Sequence, residues 1–123
     1  MVDSCGWLEL LSAGPNAKDY EGPLSDRAKL IVPSICLQEV YRHALAHKGP
    51  REARLAAAAM LRAQVTPHDA GLAFQAAALG RRHRLAMADS IVYATARRHG
   101  ALLWTQDADF KGLPGVKFIA KRR

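Results

Sequence analysis

From Ala86 to Asp109 the chain runs AMADSIVYATARRHGALLWTQDAD, and this stretch decides the fold class. Val92, Tyr93 and Ala96 follow Asp89 at three, four and seven residues, the spacing of one helix face, so Asp89 sits on the apolar side of its helix. Gly100 directly after His99 is an ordinary helix stop. Ala101-Leu102-Leu103-Trp104 then supplies a short apolar run suited to a buried strand, and Asp107 and Asp109 come immediately after it. A helix, a glycine stop and a buried strand ending on acids form a repeating unit of α/β domains with a mostly parallel sheet.

The same alternation extends outward in both directions. Further strands are expected at a stub around Val2 and at 29–32, 64–66 and 116–119, and further helices at 6–13, 34–48, 50–63 and 67–82. Ser34 is a candidate cap, Gly49-Pro50 reads as a stop and restart, and Thr66 stands three residues before Asp69 in a capping-box arrangement. The segment 14–25, with Pro15-Asn16 and Gly22-Pro23, reads as irregular or as holding one short helix. Helices 34–48 and 50–63 should form a hairpin carrying Leu37, Val40, Tyr41, Leu45, Leu55, Leu61 and the alanines at 56–59. That surface could be core or a subunit or partner face.

Length and composition bound the rest. A chain of 123 residues, 50% apolar and 24% charged, suits one domain over residues 1–123 with a real core. No apolar run approaches the roughly 18–20 residues that span a bilayer, and the N-terminus lacks a basic segment followed by an apolar one. A cytoplasmic location with no membrane contact is therefore expected. Cys5 and Cys36 have no paired spacing and read as isolated structural thiols. Eighteen Lys and Arg against eleven Asp and Glu give a formal charge of +7, a balance suited to polyanions.

The acids sort into two groups. Glu9, Asp19, Glu21, Asp26, Glu52 and Asp69 lie in polar loops or near helix starts, where carboxylates need no special role. Asp3, Glu39, Asp89, Asp107 and Asp109 follow strands or occupy the helices after them, and in a parallel α/β sheet such positions gather at one edge. Each has a bland reading: Asp89 as a helix-start charge, Asp107 and Asp109 as turn formers, Asp3 as a terminal residue, Glu39 as a partner of Arg42 or His43. Together they would repel one another and raise each other's pKa values unless a cation neutralised them. Mg²⁺ fits such a site because it takes oxygen ligands, uses few carboxylates, and acidifies a bound water that can attack a phosphodiester.

The segments Val2–Glu9, Leu37–Val40, Met87–Ala96 and Leu103–Phe110 resemble, in order and spacing, the acidic signature stretches of PIN-domain nucleases, most nearly the VapC-type toxins of bacterial toxin–antitoxin pairs. The resemblance covers nearly the whole chain. It implies a three-layer α/β/α sandwich with a mostly parallel central sheet, and a Mg²⁺- or Mn²⁺-dependent endoribonuclease leaving 5′-phosphate and 3′-hydroxyl ends. Asp3, Glu39, Asp89 and Asp107 match the family's acidic quartet, Asp109 a variable fifth acid, and Ser4 and Thr105 supporting hydroxyls. A homodimer and a small VapB-like antitoxin lying over the acidic groove are the implied partners, with helices 34–48 and 50–63 as part of the contact surface. Only two residues precede Asp3, so either the first strand is a stub or the true start lies upstream.

With the quartet set aside, seven acids face eighteen bases, which suits an RNA substrate. The dense basic clusters are Arg81-Arg82-His83-Arg84, Arg97-Arg98-His99 and Lys121-Arg122-Arg123, and Arg42 near Glu39 is the preferred single phosphate contact. Trp7 and Trp104 read as packing residues. His43 and His47 have the spacing of a helical zinc pair, but Ala44 stands where a zinc protease has its glutamate. A non-catalytic RNA-binding or regulatory module of the same fold is the alternative, and divalent-ion dependence separates the two. A phosphoacceptor receiver domain is disfavoured because Asp3 is followed by Ser4 and Cys5 rather than a second acid.

Overall fold

The structure is a computed structural model and describes residues 1–122. Its elements run α1 (Ser4–Leu11), α2 (Ala17–Ser25), β1 (Ile31–Pro33), α3 (Ser34–His47), α4 (Pro50–Leu61), β2 (Gln64–Thr66), α5 (Ala70–His83), α6 (Met87–Arg98), β3 (Leu103–Thr105) and β4 (Val116–Phe118), with 3₁₀ turns at Arg27–Lys29 and Ala108–Phe110.

Every strand pairing is parallel, but the ladder falls into two pairs. β1 lies beside β2 with Val32 opposite Val65, and β3 lies beside β4 with Trp104 opposite Lys117. Val2 joins the second pair through a parallel bridge to Trp104, whose N–H donates to the Met1 carbonyl (2.9 Å) and whose carbonyl accepts from the Asp3 N–H (3.0 Å). Strands of three residues make few rungs, and Pro33 contributes no N–H, so pairing breaks off where α/β sheets are usually continuous. The expected stub is thus present, held by backbone bonds and by complete burial of Val2.

The core collects where strands meet helices: Val2, Val32 and Leu103 from the strands, with Trp7, Tyr20, Val40, Met60, Tyr93 and Phe110 packed around them. α6 is its central post, buried continuously from Ser90 to Ala96. A helix buried on all sides must satisfy its polar groups internally. Accordingly Ser90 donates to the Met87 carbonyl (2.6 Å), Thr95 to Ile91 (2.7 Å), and Tyr93 to Pro114 across the fold (2.8 Å).

Local signals hold unevenly. Gly49 (φ 91°) and Gly100 (φ 60°) end α3 and α6 in conformations glycine adopts without strain, and Pro50 occupies the first turn of α4. The segment 14–25 does contain a helix, α2, which buries Tyr20 and Leu24. Ser34 is not a cap; α3 begins with it, after Pro33, and no side chain caps that end. Asp69 rather than Thr66 caps α5, accepting from the Leu72 N–H (2.8 Å), because Thr66 is still in β2 and the chain stays out of helix until Ala70. The α3–α4 hairpin forms, with Val40, Ala44, Ala53, Ala56 and Met60 buried, while Leu45, Leu55 and Leu61 remain exposed.

Gly6 is where α1 comes closest to its neighbours: a Cβ there would stand 2.5 Å from both the Tyr20 ring and Val2 Cγ1. Helix propensity favours alanine over glycine by about 0.5–1 kcal/mol, whereas overpacking a core costs about 1–3 kcal/mol. Gly6→Ala is expected to lower unfolding free energy in urea melts, while Gly22→Ala, with nothing within 4 Å of its added Cβ, should not.

Candidate functional site

The acids are brought together by elements that meet at the C-terminal ends of the strands. Asp3 follows the bridged Val2 and caps α1, its Oδ1 accepting from the Ser4 N–H (2.8 Å). Thr105, fully buried at the end of β3, donates its hydroxyl to Asp3 Oδ2 (2.9 Å) and accepts from the Asp107 N–H (3.0 Å). That one hydroxyl ties the first acid to the turn bearing the last. Ser4 donates to Glu39 Oε1 (3.0 Å), joining α1 to α3. Asp107 Oδ1 accepts from the Asp109 N–H (3.0 Å), which tightens the 3₁₀ turn after β3.

Two carboxylate groups result. One oxygen each from Asp89, Asp107 and Asp109 lie within 4.8 Å of one another, and Asp3 and Glu39 form a second group with the Cys36 thiol within the same distance. Electrostatics makes them one site. Burial first, then the charges of Asp107, Asp3, Asp109 and Glu39, push the Asp89 carboxyl up to about 6. Burial also raises Asp3, against hydrogen bonds from Thr105, Ser4 and Cys5, with Asp107 adding to the rise. Glu39 rises through burial, opposed by the Ser4 hydroxyl and assisted by Asp3.

Among the described residues no cation pairs with these acids: the ion pairs are Arg98 with Asp69 and Arg122 with Asp19, neither touching the five acids. Glu39 takes Ser4 rather than Arg42 or His43 as its partner, and Asp89 does not cap α6, whose cap position is Ala86. Asp107 does shape its turn, as its bland reading held, while also facing Asp89. Arg42 is exposed on α3, one turn beyond Glu39.

Other sequence candidates lie apart or in different roles. His43 and His47 stack with ring centroids 4.2 Å apart, and His47 Nδ1 lies 3.0 Å from the His43 carbonyl oxygen. Trp7 is buried beneath the Arg27 guanidinium. Cys36 is the buried thiol expected, but Cys5 is only partly buried and flanks the site, its Sγ 3.5 Å from Asp3 Oδ2 and 3.4 Å from Thr105 Oγ1. Of the third basic cluster, Arg123 lies outside the described residues. Sequence reading missed a buried polar network: Gln106 meets Asn16, Tyr20 and Glu9, and Glu9 had been set aside as a surface acid.

The profile of the PIN domain matches residues 1–116, and the chain belongs to that family. Among solved structures, it superposes on a toxin–antitoxin complex from Klebsiella pneumoniae with a TM-score of 0.79 at 25% identity, over 94% of this chain and 93% of that one. It also superposes on Mycobacterium tuberculosis VapC20, described as a Sarcin-Ricin loop cleaving toxin, with a TM-score of 0.77 at 24% identity, over 99% of this chain and 98% of that one. A search of curated proteins finds no match to the sequence. The fold is that of PIN domains, with mixed helices and parallel strands, as the sequence resemblance implied.

The raised carboxyls fix a pH dependence for the metal-free protein. Asp89, at about 6 when folded against an ordinary aspartate value of 3.8, binds more protons folded than unfolded between these limits. Stability contributed by such a group falls as pH rises through that window, and Asp3 and Glu39 shift in the same direction. In EDTA the melting temperature should drop from pH 5 to pH 7, and Asp89→Asn should flatten the drop.

Proposed function

We propose that this chain is a Mg²⁺- or Mn²⁺-dependent endoribonuclease, the toxin of a toxin–antitoxin pair. The observation that carries the reading is the set of five carboxylates at one edge of the strands, with no ion pair to any of them among the described residues. PIN-family membership and the likeness to toxin structures support it.

The donor set fits a hard divalent cation: a few of the carboxylate oxygens that Asp3, Glu39, Asp89, Asp107 and Asp109 offer would hold it, with the remaining positions left to water and a substrate phosphate. Bound there, the ion supplies an acidified water as nucleophile and offsets charge at the phosphorus. The chain's residues set the stage. Thr105 and Ser4 donate to the carboxylates of Asp3 and Glu39 and so would orient them as ligands. Asp89, raised to about 6, is a carboxyl that would take up or release a proton near neutral pH.

RNA would reach this acidic edge through the surrounding positive charge. Arg42, Arg81, Arg82, Arg84 and Arg97 are exposed and form no ion pair among the described residues, which suits them to phosphate contacts. For an antitoxin, a cavity of about 400 Å³ between α1, α3 and α4, lined by Leu8, Leu11, Ala44 and Leu55, offers an apolar seat that reaches Cys5 and Gln106 beside the site. The exposed Phe74 and Met87 support a homodimer through the α5–α6 side. No described helix is long and apolar enough to cross a membrane, which accords with action in the cytoplasm.

Purified protein free of antitoxin should cut RNA at discrete sites with Mg²⁺ or Mn²⁺ and not in EDTA. Asp89→Asn should lose more than about a hundredfold of the rate, since even residues that only support metal ligands cost about 10–100-fold. Thr105→Val, which removes the hydroxyl shared by Asp3 and Asp107, should fall within that supporting range. RNA binding without cleavage in any metal would overturn the proposal in favour of a non-catalytic RNA-binding module.

A further inference from the structure

Asp107 faces the like charges of Asp89 and Asp109, yet its turn is short and half-buried. Something must hold that turn against the repulsion. Thr105 grips it from the side of Asp3. The next residue lies just beyond β3 and takes different partners. That residue is Gln106, and its side chain is enclosed, with 8% exposed.

Both ends of the Gln106 amide are engaged. Its Oε1 accepts from Asn16 Nδ2 (3.1 Å) and from the Tyr20 hydroxyl (3.4 Å), and its Nε2 donates to Glu9 Oε2 (3.4 Å). Asn16, with 1% exposed, is itself fixed on every side. Its Nδ2 also donates to the Ala120 carbonyl (3.0 Å), its Oδ1 accepts from the Arg122 N–H (3.2 Å), and its backbone N–H donates to Glu9 Oε1 (2.7 Å). The network therefore binds α1, the start of α2 and the C-terminal segment to the residue before Asp107. Buried polar groups satisfied in this way rigidify what they touch, and losing one partner leaves the others unpaired.

We infer that Gln106 and Asn16 are positioning residues for Asp107: they anchor the start of the turn through partners other than those of Thr105, so that its carboxylate stays close to Asp89 despite their like charge. The inference rests on the metal-dependent reading of the site. Neither side chain belongs to the carboxylate set, and their influence passes through the backbone at 106–107.

The test compares wild type with Gln106→Met, which keeps the length of the side chain without its amide, and Asn16→Ser, which removes the Nδ2 donor. Mn²⁺ affinity is measured on the RNA-free protein by electron paramagnetic resonance of free ion, together with melting temperature and with kcat and KM for an RNA that the wild type cuts. Expected are folded variants whose Mn²⁺ affinity falls about 10–100-fold, the range for residues supporting metal ligands. Their kcat should fall at limiting metal and recover as Mn²⁺ is raised, with KM for RNA little changed. Folded variants with wild-type Mn²⁺ affinity and kcat would overturn the inference and leave the network as structural glue. Should Gln106→Met or Asn16→Ser fail to fold, Tyr20→Phe, which deletes one bond to Gln106, decides by the same readings. A wild type that neither binds Mn²⁺ nor cuts RNA would overturn the metal-dependent reading and this inference with it. A wild type that does both while the variants match it would overturn the inference alone.

Discussion

Repulsion among five carboxylates is the constraint around which the structure is arranged. Left free in water these groups would separate, and the chain holds them together from four separate segments: the start of α1, α3, α6 and the turn after β3. The raised Asp89 carboxyl registers the cost of doing so. What opposes the repulsion is packing that leaves each segment little room to move. Val2 is wholly buried beside Asp3, α6 is enclosed for two turns beyond Asp89, and Phe110 is buried directly behind the turn of Asp107 and Asp109. Hydrogen bonds then choose orientation, with Thr105 and Ser4 each donating to an acid from a different element.

The same arrangement explains how a chain of formal charge +7 can carry so negative a centre. Concentrating acids at one edge leaves the remaining surface strongly basic, and long-range attraction for a polyanion depends on that whole surface while the local field depends on the nearest groups. The two act at different distances. An RNA drawn in by arginines would meet, at the last step, carboxylates that repel its phosphates unless a divalent cation stands between them. Substrate attraction and cation requirement are therefore consequences of one charge distribution in the proposed reading.

How much of this was legible in the sequence follows from the range of each interaction. Helix and strand alternation is local, and the placement of Asp89 on the apolar side of its helix and of Asp107 after β3 came from spacing within a few residues. Their convergence followed from parallel topology. Capping was read less well, because Thr66 and Asp69 both carry capping side chains and only the path of the chain after β2 selects Asp69. The division of the strands into two pairs depends on how three-residue strands meet in space, which no periodicity encodes. Asn16 and Gln106 are ninety positions apart in the chain, and nothing near either one announces the bond between them.

The two thiols sharpen the case for an oxygen-seeking ion. Cys36 and Cys5 both lie against the Asp3 carboxylate, and a soft cation such as Zn²⁺ would ordinarily compete for thiolates at such a site. Thiolate is the form that binds metal. Burial, with Asp3 adding to it, pushes the Cys5 thiol up to about 11, and Cys36 is likewise raised by burial and then by Asp3 and Glu39. In the metal-free protein, burial first and the adjoining carboxylates second keep both thiols protonated, and Cys5 can serve Asp3 as a weak hydrogen-bond donor. In the proposed reading the carboxylate oxygens, which outnumber the two thiols around Asp3, are the donors for an ion that prefers oxygen.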